Sequence, residues 1–415
     1  MSEFLNCIAC KKKYDIDQVM IKCPCGGLVS IERPTDELKK LSIDLFDKRL
    51  ASKNKIDQSG VWRFREAVFS GAGDNIMCMP EGRTNLYQRN QLSRWADCNE
   101  LWIKHEGENP SGSFKDRGMT VAVTQAKRLG KKYIACASTG NTSASLAAYA
   151  SLAGAQALVF IPQGKISGSK LSQALAYGAK CLSIAGDFDK AMSLVREACE
   201  QLGIYLVNSL NPFRIEGQKT IIWDILQSLD WDAPDWIITP AGNLGNTSAF
   251  GKAIKEAYEA GWINKKPKLA AVQAKGANPF YTSFQNNFEF IKPIQAKTVA
   301  SAIQIGNPVN FPKARVSIHD TGGLVEEVSD AEILHAKYEI DRNAIGCEPA
   351  SACSLAGLKK LRAKNIIKRD EKVVCILTGH LLKDPDTTAQ NLERNAYNSI
   401  IKINGDIQEI ERVLS

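Results

Sequence analysis

From Leu101 onward, short apolar runs alternate with helix-length stretches, and this alternation narrows the chain to one broad architecture. Residues 101–104 and 133–137 read as strands, with a helix over 114–129 between them. The pattern continues with a helix over 143–152, strands over 158–161 and 180–184 around a helix at 169–177, a helix over 188–202 and a strand over 205–207. Helix 217–229, strand 236–239, helix 247–260 and strand 269–273 follow. Strands separated by helices of this length join parallel neighbours through crossovers. They are too many for one small sheet. The prediction is an α/β fold of two open parallel-sheet domains behind a small Cys-rich segment. The expected division is a ribbon-like segment over 1–33, a large α/β domain over 34–112 and 208–388, a small one over 113–207, and a helical tail over 389–415.

Composition removes several classes of function. With 44% hydrophobic and 24% charged residues, the chain is not disordered in the main. The longest apolar stretch, 146–161, is broken by Ser151, Gly154 and Gln156, so no membrane-spanning helix is expected. Met1 to Tyr14 lacks the apolar core of a signal peptide, which points to the cytosol. The net charge of +8 is spread along the chain, with one short run at Lys11-Lys12-Lys13. Nucleic-acid binders concentrate their basic residues, so no nucleic-acid partner is expected.

Twelve cysteines in a cytosolic chain point to thiols or metal ligands rather than disulfides. Cys7 and Cys10 are separated by 12 residues from Cys23 and Cys25. Four thiolates on two hairpin tips can close a tetrahedral zinc site. The second knuckle is one residue shorter than usual. A structural zinc ribbon and a metal-free thiol hairpin are therefore both open.

Polar, Gly-rich turns cluster where the predicted strands end, which is where open parallel sheets bind ligands. In Glu108 to Gly118, Ser113 and Asp116 have the spacing of a capping box, placing Lys115 in a first helical turn. There the helix dipole opposes its charge and favours the neutral amine that Schiff-base chemistry requires; a solvated surface lysine is the plainer alternative. Ser138-Thr139-Gly140-Asn141-Thr142-Ser143 and Gly242-Asn243-Leu244-Gly245-Asn246-Thr247 each lead from a strand into a helix. Such turns cradle anions, or merely punctuate the chain. Neither is a nucleotide-binding fingerprint. Within Asn208 to Lys219, Arg214 offers donors for a second phosphate or a carboxylate, or else pairs with Glu216. Thr378 ends the apolar run 373–377, where its hydroxyl can meet a ring nitrogen. His380, two residues on, reads as structural rather than as a catalytic base.

Together these turns resemble the fold-type II, tryptophan-synthase β-like family of pyridoxal-phosphate enzymes. Within it, the set is similar to the threonine synthase branch. Asn109-Pro110-Ser111-Gly112-Ser113-Phe114-Lys115-Asp116-Arg117-Gly118 resembles that branch's Schiff-base segment. Ser301 to Pro308, Glu348-Pro349-Ala350-Ser351, and Thr378-Gly379-His380 with Lys383-Asp384-Pro385 also resemble segments of that branch. The resemblance implies that Lys115 carries pyridoxal 5′-phosphate and shuttles protons. It implies that Asn141 meets the cofactor 3′-oxygen, that Gly242, Asn243, Leu244, Gly245 and Asn246 hold its phosphate with Thr247, and that Thr378 meets its ring nitrogen. Ser138, Thr139 and Thr142 are implied for the substrate carboxylate, and Asn208 and Arg214 for a substrate phosphate. The implied substrate is O-phospho-L-homoserine, converted with water to L-threonine and phosphate. A homodimer is the common assembly of that fold. Leu381 stands where the family often has Gly, and Ser111 where it often has Thr. A cysteate synthase or a hydroxy-amino-acid dehydratase of the same fold, or a catalytically silent relative, are the competing readings. Arg214 argues against a dehydratase, which needs no second phosphate site, and the intact Lys115 against a silent relative.

Overall fold

The computed structural model describes residues 3–163, 168–185, 188–395, 403 and 405–414. In chain order its strands are β1 (Phe4–Cys7), β2 (Lys13–Asp15), β3 (Val29–Glu32), β4 (Leu86–Tyr87), β5 (Glu100–His105), β6 (Tyr133–Ala137) and β7 (Gln156–Pro162). Then come β8 (Lys180–Ile184), β9 (Tyr205–Leu206), β10 (Trp236–Pro240), β11 (Lys268–Ala274), β12 (Leu324–Val328) and β13 (Lys372–Leu377). They form a three-stranded antiparallel ribbon, a six-stranded sheet of order β12-β11-β10-β13-β5-β4, and a four-stranded sheet of order β8-β7-β6-β9. Every pairing in the two larger sheets is parallel except that of β4, which lies antiparallel on β5 at the edge. The carboxyl ends of each parallel set therefore open on one side, as the alternation predicts.

β10 is buried along its whole length, because helices cover both faces of the large sheet. Helix Pro349–Ala363 packs against β10, β11 and β13. An edge-to-face stack of Phe46, Phe64, Trp223 and Trp262 fills part of the core. Leu5, Cys7, Val29 and Ile31 of the ribbon belong to that same continuous core. The Cys-rich segment is thus built into the body. Arg33 reinforces the joint, donating to Glu216 at 2.9 Å and to the Val68 carbonyl at 2.9 Å while buried.

Most predicted elements recur within two residues, and one boundary differs more. The helix expected from 217 begins at Pro212 and runs to Ser228. Asn211 caps it, its Oδ1 accepting from Phe213 N at 3.0 Å, with Pro212 in the first turn. Its polar residues Arg214, Glu216 and Lys219 are buried, so apolar periodicity could not show this first turn. In the predicted tail, helices occupy Pro385–Asn395 and Ile407–Leu414; most residues between them lie outside the described ones.

Helix Lys115–Arg128 and helix Pro212–Ser228 touch backbone to backbone. A Cβ on Gly217 would lie 1.8 Å from the Arg117 carbonyl oxygen, and one on Gly118 would lie 2.8 Å from that of Arg214. Glycine at both positions permits an approach that brings Lys115 and Arg214 to one cleft. Gly217→Ala is expected to push the helices apart and cost about 1–3 kcal/mol or more, as overpacking does. Urea unfolding of that variant against wild type measures it.

Candidate active site

Lys115 opens its helix in the first position, at the segment joining β5 to that helix. Its amine lies 3.8 Å from the centroid of the Phe114 ring. Enclosure by protein and the neighbouring Arg214 guanidinium bring its pKa down to about 7, partly offset by the Glu348 carboxylate. The expected capping box is absent. Asp116 turns away from the helix start and accepts from Ser111 N, Ser111 Oγ and, at 2.5 Å, Ser145 Oγ. Ser113 Oγ is buried and unpartnered among the described residues. Asp116 thereby ties the lysine segment to helix Asn141–Leu152; burial raises its pKa to about 6 against those hydrogen bonds.

Thr378, directly after β13, meets this segment from below. Its carbonyl accepts from Phe114 N at 3.0 Å, and Ser113 and Gly379 form a β-bridge. The Thr378 hydroxyl lies 3.0 Å from Ser351 Oγ and donates to Glu348 Oε1 at 3.3 Å. Asn141 Nδ2 reaches the same carboxylate, at 3.0 and 3.2 Å. Glu348, buried at the start of helix Pro349–Ala363, therefore links Asn141 to Thr378; burial raises its pKa. Sequence reasoning gave Glu348 no role of its own. An acidic residue before a helix-starting proline was the available signal.

The loop after β10 forms the third wall. Leu244 adopts φ 63° at the start of helix Gly245–Glu259. A Cβ on Gly242 would lie 3.0 Å from the Ile303 Cα, so the loop leaves a concavity where a side chain would sit. The Thr247 hydroxyl and Asn246 Oδ1 are buried here with no partner among the described residues, as is Gln218 Oε1. The first N–H groups of any helix also lack intrahelical acceptors. Asn310 Nδ2 ties this loop to the turn after β9, bonding the Asn243 and Ser209 carbonyls at 3.2 and 3.1 Å.

Arg214 does not pair with Glu216, which is taken by Arg33, Lys219 and Lys252. Its Nη1 donates to the Val207 carbonyl at 3.0 Å, its Nε is unpartnered, and no carboxylate among the described residues lies within ion-pair distance. Burial lowers its pKa to about 10, the Cys136 thiol acting in the opposite direction. Asn208 is engaged: its amide bonds Ala137 N at 3.0 Å and Ala137 O at 3.3 Å, pinning the end of β6. Ser138, Thr139 and Thr142 lie half-buried around the next turn, at the start of helix Asn141–Leu152. His380 stacks on His105 with ring centroids 6.2 Å apart, and its Nδ1 accepts from Leu382 N. Leu381 packs against Gly346, its Cβ 3.2 Å from where a Cβ would stand.

In the ribbon, the sulfurs of Cys7, Cys10, Cys23 and Cys25 lie within 4.8 Å of one another. The short second knuckle does not prevent convergence, because Gly26 takes φ 84°. Tyr14 Oη lies 2.9 Å from Cys23 Sγ. Four thiols at this separation suit a tetrahedral zinc site.

An amine easily deprotonated, beside a helix N-terminus with unmet donors, suits a cofactor that joins an aldehyde to a phosphate. A family model described as pyridoxal-phosphate dependent enzyme matches residues 77–379, and this is the class that fold and site define. The solved structure of maize serine racemase shares the fold, with a TM-score of 0.63 at 22% identity over 76% of this chain and 93% of that one. Threonine synthase of Methanocaldococcus jannaschii is 46% identical over 411 residues, 99% of this chain and 98% of that protein. Threonine synthase of Methanosarcina acetivorans is 45% identical over 386 residues, 92% of this chain and 93% of that protein. The chain belongs to the threonine synthase family of pyridoxal-phosphate-dependent enzymes. No helix among the described residues is long and apolar enough to cross a membrane.

The site residues fit that cofactor: the Thr247 hydroxyl at the loop after β10 is a buried donor with no partner among the described residues, and Lys115 supplies an amine whose pKa is brought down to about 7. Capture of pyridoxal phosphate by the cofactor-free protein should rise with pH through about 7 and then level off, since only neutral Lys115 reacts. An ordinary lysine would keep gaining until about 10.4. Absorbance-followed reconstitution across pH 5.5–9 tests this, with Lys115→Ala as the blank.

Proposed function

We propose that this chain converts O-phospho-L-homoserine and water to L-threonine and phosphate. One observation carries the reading beyond family membership. Arg214 is a buried cation with no carboxylate within ion-pair distance among the described residues, and it lies close enough to depress the Lys115 amine. A guanidinium left unpaired in a cleft is costly unless an anion arrives with the substrate. With the cofactor phosphate assigned to the loop after β10, Arg214 supplies a second anion site, as a phosphorylated amino acid needs.

In this reading Lys115 holds pyridoxal phosphate, residues Gly242 to Asn246 with Thr247 grip its phosphate, and Asn141 and Thr378 orient its ring. When bound, the cofactor supplies an electron sink for the charge that builds at the substrate Cα. Lys115, released when substrate takes its place, removes the Cα proton and then serves as acid and base at Cβ and Cγ. Its low pKa suits both directions of transfer near neutral pH. Arg214 binds the phosphate that leaves from Cγ. Ser138, Thr139 and Thr142, at a helix N-terminus, receive the substrate carboxylate. Asn208 acts behind them by fixing the end of β6. Water adds its oxygen at Cβ, and Cγ is left as the methyl group.

The same reading gives Cys7, Cys10, Cys23 and Cys25 a structural zinc ion, places the enzyme in the cytosol, and allows a homodimer. Twelve free thiols suit that compartment.

Phosphate and threonine should appear in equal amounts from O-phospho-L-homoserine; phosphate without threonine would overturn the reading. Arg214→Met should raise KM for that substrate about 10- to 150-fold, the equivalent of losing a charged hydrogen bond of about 1.5–3 kcal/mol. Cofactor absorbance should be unchanged in that variant. Zinc analysis should find one ion per chain. Because ribbon and body share one core, chelation should lower the Tm of the whole molecule in a single transition.

A further inference from the structure

We propose that Lys383 is a positioning residue for the reaction assigned above: it clamps helix Gly168–Ala176 to the turn that carries Lys115 and so sets how the two parallel sheets meet around the cleft. The proposal rests on that reaction for its effect on substrate. Helix Gly168–Ala176 follows β7 and precedes β8, so it belongs to the four-stranded sheet. Lys383 ends a short turn, Leu381–Lys383, that follows β13 of the six-stranded sheet. Its Nζ donates to Gln173 Oε1. Gln173 Nε2 donates to the Ser111 carbonyl at 3.1 Å and to the Tyr177 hydroxyl at 3.2 Å. A cation at one end of the amide and a carbonyl at the other leave it a single orientation. Ser111 in turn gives its N–H and its hydroxyl to Asp116, the residue after Lys115.

The turn before Lys115 is shaped to let this side chain pass. Gly112 holds φ 85°, and a Cβ there would lie 2.9 Å from Lys383 Cε and 3.6 Å from its Nζ. The His380 N–H donates to the Gly112 carbonyl at 2.9 Å and the Lys383 N–H to the His380 carbonyl at 3.1 Å, so backbone bonds fix the stem across the turn. The carboxylates that face the ammonium are Glu348, at the start of helix Pro349–Ala363, and Asp116, in the first turn of helix Lys115–Arg128. Neither lies within ion-pair distance of it, and Glu348 is held by Asn141 and Thr378. The neighbouring Asp384 is also engaged, accepting from Thr387 N at 3.2 Å. Lys383 therefore spends its charge on a neutral amide from the other sheet rather than on a nearby acid.

Lys383 and Gln173 are both half-buried. Parting them returns the ammonium and the amide to water, whereas parting Arg117 from Glu106 would strand buried charges. The clamp can thus be made and released within the folded protein. What it controls follows from where the site residues sit. Ser138, Thr139 and Thr142, assigned to the substrate carboxylate, follow β6 of the four-stranded sheet. Arg214, assigned to the substrate phosphate, lies across the cleft beside Lys115. The cofactor is assigned to Lys115 and to the loop after β10 of the six-stranded sheet. Substrate is therefore gripped from both sides at once, and its binding depends on the clamp more than cofactor binding does.

Lys383→Met and Gln173→Met remove the bond from either side while nearly keeping side-chain length, so the test does not hang on the folding of one variant. Steady-state kinetics of the holoenzyme with O-phospho-L-homoserine are joined to absorbance-followed cofactor titration and to hydrogen–deuterium exchange. Each variant should raise KM about 5-fold or more, as loss of a partly exposed charged hydrogen bond does, with kcat and cofactor affinity within about 2-fold of wild type. The double variant should be no worse than the poorer single one, since both lose the same contact. Exchange should quicken over residues 109–114 and 171–177. Wild-type KM in both single variants overturns the proposal, as do additive effects in the double variant. Cofactor affinity falling in step with KM also overturns it, because Lys383 would then merely hold the lysine turn together. The exchange measurement needs no substrate. If wild type makes no threonine while both variants quicken exchange at those residues, the reaction assigned above falls and the clamp stands; unchanged exchange overturns the clamp whatever the product.

Discussion

Arg117 is the pivot of the molecule. It is buried, and its guanidinium forks onto both Glu106 oxygens at 2.6 and 2.7 Å and onto Asp224 at 2.6 Å. Glu106 follows β5, and Asp224 lies on helix Pro212–Ser228, so one side chain locks the lysine-bearing helix to a sheet strand and to the Arg214 helix. Lys104 and Arg63 complete the cluster around Asp224. Its carboxyl is held well below the usual range because three cations outweigh the cost of burial. Such a cluster is weak evidence for net stability. Removing one partner nevertheless strands the others, at about 3–5 kcal/mol. Its use here is positional, since Lys115 is two residues away.

Around that pivot the charges divide into two kinds. In the Arg117 cluster and the Arg33–Glu216–Lys219–Glu256 cluster every charge has an opposite partner, and both join chain segments distant in sequence. Lys115 and Arg214 make no ion pair among the described residues; burial depresses both, and Arg214 adds to the effect at Lys115. A folded protein keeps such an imbalance where a ligand will resolve it. The Glu348 carboxylate, pushed the other way by burial, sits between Asn141 and Thr378 and moderates the field at Lys115.

Much of the fold was legible because parallel sheets buried on both faces write apolar runs into the sequence. β6 and β8 appear at the predicted residues, and β10 within one. Errors fall where burial is polar. The start of helix Pro212–Ser228 was hidden because Arg214, Glu216 and Lys219 are core residues whose partners lie far along the chain. The capping box at Ser113 failed because Asp116 finds better donors in Ser111 and Ser145. Asn208 looked free to bind a ligand until β6 came alongside and took its amide.

The sequence alone determined the strand–helix alternation, the four-cysteine spacing, the lysine in a helix-opening turn and the glycine loops at strand ends. Each depends on local spacing, which backbone geometry converts directly into structure. Tertiary structure alone decided which polar groups are satisfied and which are left open. Glu348 between Asn141 and Thr378, the unpaired Arg214 beside Lys115, and the Lys383 ammonium on Gln173 all result from contacts between distant segments. Hydrogen-bond balance is a property of the packed whole, so no local pattern of residues encodes it.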